Sequence, residues 1–126
     1  MPKAILWDHN NLKTILLKEP YYIHAQKLID CQTITSIQFT DELEAYVDDE
    51  GLLIDDPLYG AVYLNEDGMP IQGIAGRILF VNHNEEGETI SLTDKQIEKI
   101  EKLTKRDIVH KTHKISYPIL IIQRGK

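Results

Sequence analysis

Apolar residues in this chain come in short, alternating runs broken by turn sequences, and that rhythm limits what it can fold into. Leu43, Ala45 and Val47 alternate with Glu42, Glu44 and Tyr46 and then stop at Asp48-Asp49-Glu50-Gly51. A period of two sets such residues on one face of a strand, and an acidic, glycine-ended cluster is turn chemistry. Ala4–Trp7 and Thr14–Leu17 flank the polar turn Asp8-His9-Asn10-Asn11 and predict a first hairpin. The β-branched stretch Thr33–Phe39 predicts another strand, and Leu52–Ile54 reads as the return of a meander.

Two segments carry a helical period instead. Pro20 opens Tyr21–Ile29, where Tyr22, Ala25, Leu28 and Ile29 recur on one side, and proline is tolerated at a helix start. In Thr93–Arg106 the pair Thr93/Gln96 forms a capping box, and Ile97, Ile100 and Leu103 make one stripe. The pairs Glu98/Lys102 and Glu101/Lys105 support the same helix. Asp56-Pro57 predicts a further short helix through Ala61, weakened by Gly60. Ile74–Val81 reads as one strand with Gly73 and Gly76 marking a bulge or close approach. After a basic turn at His110–Lys114, Ile115–Ile122 reads as a last strand, placed at an edge by Pro118. The expected fold class is α+β: a mainly antiparallel sheet with two or three helices packed on one face.

A chain of 126 residues with 42 % hydrophobic content has material for one core, so the expectation is one domain over residues 1–126. No segment approaches the roughly 20 apolar residues of a membrane helix, and the N-terminal apolar run is short for a signal peptide. With Cys31 as the one cysteine, no internal disulfide is available. The expected setting is the cytoplasm.

Charge is segregated along the chain. Residues 41–88 hold thirteen acids and one base, Arg77, a net −12, whereas the rest holds seven acids and thirteen bases, a net +6. The plain reading is solvated turns; the functional one is an acidic face that attracts a basic partner or a second copy, giving a homo-oligomer. Direct nucleic-acid binding through the acidic segment is disfavoured by phosphate repulsion.

Few residue constellations point to chemistry. His110 and His113, with Asp107 three residues earlier, have the spacing of ligands on a helical turn, but Lys105, Arg106, Lys111 and Lys114 oppose a cation there. Asp48, Asp49, Glu50, Asp55 and Asp56 lack the order of a calcium loop. No metal site, cofactor or catalytic residue is therefore expected. Gly73-Ile74-Ala75-Gly76-Arg77 offers backbone N–H groups and one guanidinium to an anion, against the plain reading of an ion pair with nearby carboxylates. The residues expected to bind a ligand are Asp56, Tyr59, Gly73, Gly76, Arg77 and His83.

The segments YVDDEGLL (46–53), DPLYGA (56–61), NEDG (65–68), IQGIAGRILFV (71–81) and LTDKQIEK (92–99) together resemble the domain of unknown function family 3846. That family occurs in bacteriophages, conjugative elements and large polyvalent proteins. The resemblance covers about residues 28–105; Asp56 stands where many members have Asn, and 113–126 form a strand extension past the usual end. It implies a mobile-element accessory protein with no assigned catalytic residues. The expected function is non-enzymatic: countering host defence by binding a host protein or sequestering a small nucleotide signal. The alternative is a small enzyme acting on a phosphorylated or nucleotide substrate through Asp56, Arg77 and His83.

Overall fold

A computed structural model describes residues 1–50, 59–112 and 115–123. Along the chain run β1 (Lys3–Trp7), β2 (Leu12–Leu16), α1 (Tyr21–Ile29), β3 (Ile34–Thr40), β4 (Leu43–Asp48), β5 (Tyr59–Leu64) and β6 (Pro70–Ala75). They are followed by β7 (Ile78–His83), β8 (Thr89–Ile90), α2 (Asp94–Leu103), β9 (Thr104–Thr112) and β10 (Ile115–Gln123). The strands form two sheets. One has the order β2-β1-β7-β4-β3, with β8 also on β7; the other has the order β6-β5-β10-β9. β5 and β10 run parallel, and the remaining pairs are antiparallel.

This overturns the expected α+β class with a sheet covered by helices on one face. Strands hold 53 % of the described residues and helices 17 %, so the protein is mostly β, and sheet packs on sheet. The inner faces meet in a cluster that includes Trp7, Phe39, Ala45, Ile78 and Phe80 from the first sheet and Ala61, Tyr63, Ile74, Leu120 and Ile122 from the second. Ile100 of α2 joins that cluster, whereas Ala25 and Ile29 of α1 pack with Ala4, Leu6, Leu79 and Val81 on the opposite face of the first sheet. The two helices thus lie on opposite faces.

β7 shows why. Ile78, Leu79, Phe80 and Val81 are all buried, Ile78 and Phe80 toward the second sheet and Leu79 and Val81 toward α1. A strand covered on both sides reads as a continuous apolar run. Full burial of each such side chain is worth about 1.5–3 kcal/mol.

Several local expectations need correction. Ile74–Val81 is two strands in different sheets, split where Gly76 adopts φ 81°, a backbone state that glycine permits at little cost. Tyr59–Ala61 opens β5 rather than closing a helix, because Tyr59 and Ala61 pair with Ala75 and Ile74; Asp56 and the Leu52–Ile54 strand lie outside the described residues. α2 ends at Leu103, and Thr104–Thr112 is a strand whose ladder with β10 outweighs the charge pattern. His110–Thr112 therefore belongs to β9, with His113 and Lys114 outside the described residues. Pro118 sits in β10, an interior strand, opposite Ile108. It is accommodated because β5 pairs with β10 only from Leu120 to Gln123, leaving Pro118 one strand neighbour.

The capping box is present: the Thr93 side chain accepts from the Gln96 N–H, and the Gln96 side chain accepts from the Thr93 N–H. Among the described residues, no helix is long and apolar enough to cross a membrane.

Candidate functional site

Pairing of β4 with β7 sets Glu44 opposite Val81 and Tyr46 opposite Leu79. Alternation then turns Glu44, Tyr46 and His83 toward the α1 face, beyond the apolar patch of Leu79 and Val81. There His83 is held at both ring nitrogens. Its Nδ1 lies 2.6 Å from Glu44 Oε1 and its Nε2 lies 2.9 Å from the Tyr46 hydroxyl. The carboxylate calls for a proton on Nδ1, which donates to Glu44, while Nε2 and the Tyr46 hydroxyl share the second hydrogen bond. The Tyr46 and His83 rings meet edge-on, centroids 5.8 Å apart. Burial, then the charges of Glu44 and Tyr22, raise the pKa of Tyr46, so its hydroxyl stays protonated.

Beside this trio opens a groove of about 470 Å³ lined by Gln38, Asp41, Glu42, Glu44, Asn82 and Gln96, among others. Its wall is fixed by Gln96, whose Nε2 donates to the Glu42 carbonyl at 2.8 Å and to Asn82 Oδ1 at 3.1 Å. Lys95 and Lys99 approach the Glu42 carboxylate at 3.4 and 3.7 Å; the pairs are partly exposed, and such pairs contribute little stability. The groove thus sets the carboxylates of Asp41, Glu42 and Glu44 among amides and the Lys95 ammonium, and its histidine is bonded at both ring nitrogens.

The sequence-predicted site residues fall into separate places. Tyr59 lies across Gly73, where an added Cβ would come within 2.6 Å of its ring. Gly76 and Arg77 form the β6–β7 turn, and Arg77 Nη1 donates to the Leu28 carbonyl at 3.2 Å, at the end of α1. Arg77 also stands near His9, whose pKa is lowered by burial and then by the Arg77 charge, against the pull of Asp8. His83 is at the other end of β7, roughly 20 Å of strand from Arg77. Asp56 lies outside the described residues.

The remaining candidates are equally dispersed. Asp107 and His110 project to opposite faces of β9, since three residues along a strand change sides. Asp107 accepts from the Ile108 N–H at 2.8 Å, and His110 Nδ1 lies 3.2 Å from the Ser116 hydroxyl. Among the described residues, no group of three His, Cys, Asp or Glu side chains is placed to hold a metal ion. Burial, then the charges of Asp48, Asp30 and Glu50, push the Cys31 thiol up to about 11, which leaves it protonated and unreactive at neutral pH.

Sequence reasoning missed Glu44 and Tyr46. The signal was their shared face in an alternating strand, but nothing local to β4 says that His83 is its neighbour.

Residues 4–105 match the family described as "Domain of unknown function (DUF3846)", and the chain belongs to that family. The match begins ahead of the recognisable segments and takes in the β1–β2 hairpin and α1. No curated protein and no solved structure matches the chain.

Proposed function

We propose that this DUF3846 member is a non-enzymatic binding protein whose groove beside His83 receives a basic segment of a partner protein. One observation carries the reading: Asp41, Glu42 and Glu44 line the same groove as the side-chain amides of Gln38, Asn82 and Gln96, next to a histidine locked by Glu44 and Tyr46. Carboxylates suit recognition of Lys or Arg side chains, which would replace the partly exposed Lys95 and Lys99 at Glu42, and the acidic 41–88 segment steers such a partner toward them. The mobile-element setting implied by the family resemblance makes a host protein the target, with interference in host defence as the outcome.

The enzyme alternative has less support, because Arg77 and His83 stand at opposite ends of β7. Sequestration of a nucleotide signal at Arg77 is likewise less favoured, since that guanidinium is bonded to the Leu28 carbonyl.

The test is fluorescence anisotropy with a labelled Lys/Arg-rich peptide, an acidic peptide as control, and a salt series. Binding that weakens as salt rises, and that falls about tenfold in an Asp41→Asn/Glu42→Gln variant of unchanged melting temperature, is the expected result. Equal affinity of wild type and variant refutes the proposal.

A further inference from the structure

The carboxylates of the groove differ in what stands against them. Glu42 faces the Lys95 and Lys99 ammonium groups at 3.4 and 3.7 Å, and lysine keeps its charge through the neutral and mildly acidic range. Among the described residues no lysine or arginine lies within ion-pair distance of Glu44, whose partner is His83 Nδ1 at 2.6 Å. Histidine is the side chain whose ordinary titration falls between pH 5 and 8. Glu44 is thus the groove acid whose counter-charge depends on pH.

The neighbours of His83 decide what a proton does there. Glu44 and Tyr46 reach it from β4, and Tyr22 of α1 stands near Tyr46. Lys95 of α2 lines the groove with Asp41 and Glu42, and Glu88, next to β8, is bonded to Asn84, the residue after His83. β8 itself pairs through Thr89 and Ile90, which carry no charge. With the ring neutral, Nδ1 donates to Glu44, which keeps its full charge, and Nε2 accepts from Tyr46. With the ring protonated, Nε2 becomes a donor too, the Tyr46 hydroxyl turns its proton away, and Glu44 and His83 form a pair of zero net charge. Tyr46 stays protonated in either case, so it adds no negative charge to offset the imidazolium. Three carboxylates against the Lys95 ammonium make −2 with a neutral ring, and −1 once the ring is charged. The His83 and Glu44 side chains are 20 % and 23 % exposed, so the change is felt in the groove with less screening than a surface pair and the ring still exchanges protons with solvent.

We infer that His83 makes this groove sensitive to pH: it holds a basic segment while the imidazole is neutral and lets it go as the imidazole takes a proton. This rests on the reading of the groove as a site for Lys or Arg side chains, and it names how that site is regulated. Protons and the basic segment oppose one another, so each weakens the binding of the other by the same factor.

The test is fluorescence anisotropy of a Lys/Arg-rich peptide that contains no His, Asp or Glu and carries a pH-insensitive label, run from pH 8 to about 5.5 at constant ionic strength. Affinity is expected to fall about fivefold, the order expected for one unit charge several ångströms away in a partly screened site. His83→Gln stays neutral at every pH and can still donate to Glu44; at unchanged melting temperature its affinity is expected to hold within about twofold over this range, where carboxylates remain ionised. Any response of the other histidines among the chain's five persists in that variant, which isolates His83. A second readout needs no variant: in wild type, the NMR titration of the assigned His83 ring is expected to move to lower pH when peptide is added.

A peptide that binds equally well at both ends of the pH range, a pH response undiminished in His83→Gln, or a His83 titration unmoved by bound peptide overturns the inference and leaves the groove reading standing. A peptide that binds at no pH overturns both.

Discussion

The indole N–H of Trp7 donates to the carbonyl of Gly60 at 2.7 Å, joining β1 of one sheet to β5 of the other inside the core. Trp7 is fully buried, and Tyr63 makes a second such tie by donating to the Phe39 carbonyl at 2.9 Å. Apolar contact between sheets is non-directional, so buried bonds of this kind help set how the faces register.

Trp7→Phe keeps an aromatic ring but leaves the Gly60 carbonyl without its donor. The expected loss is about 2–3 kcal/mol, combining an unsatisfied buried acceptor with the lost volume, read from urea unfolding by circular dichroism. A loss below about 0.5 kcal/mol would show that the bond does not hold the sheets together.

Two glycines near that junction are expected to behave differently. A Cβ at Gly60 would sit 1.8 Å from the Gly76 carbonyl oxygen, a backbone atom held by the β6–β7 turn. Gly60→Ala should cost about 3 kcal/mol or more, since β5 and the β6–β7 corner must move apart. At Gly73 the obstacle is the ring of Tyr59, which is exposed enough to swing away. Gly73→Ala should cost under about 1 kcal/mol, and thermal melts of the pair read the contrast directly.

Asp8 makes the β1–β2 turn sensitive to acid. Burial raises its pKa, but the N–H groups of Asn11 and Asn10 and the Lys13 ammonium outweigh that and hold the carboxyl at about 2, against 3.8 for the free group. The folded value is depressed, so the ionised carboxylate adds stability above the unfolded pKa, and that contribution is lost as pH falls through the folded one. Asp8→Asn should therefore be less stable than wild type by about 1 kcal/mol at neutral pH, with solvent screening limiting the effect. The gap should close between pH 3.8 and about 2, measured by urea titrations across that range.

Much of the local structure was legible because its cause is local. The proline-opened α1 and the capping box of Thr93 and Gln96 are set by neighbours in sequence, as is the Leu43, Ala45, Val47 face of β4. The pairing of sheets was not. Nothing near Ile78–Val81 says that one side of β7 meets α1 and the other a second sheet, and Thr104–Thr112 looks helical or turn-like until β10 pairs with it. The candidate site failed to be read for the same reason: His83 lies 39 positions from Glu44 and 37 from Tyr46. Meanwhile Gly76 and Arg77, which looked like an anion cradle, mark the corner where the chain changes sheets.

The parallel pairing of β5 with β10 places Leu120 beside Ala61 and Ile122 beside Tyr63. During synthesis, then, β5 and β6 emerge well before the strand that lies next to β5, and the inner face carrying Ala61 and Tyr63 must wait for it. A version truncated after residue 105, where the family match ends, would lose most of β9 and all of β10 and leave Trp7, Phe80 and Ile100 without Leu120 and Ile122 opposite them. The strands past the family boundary therefore supply part of the core that the family-matched segment is packed around.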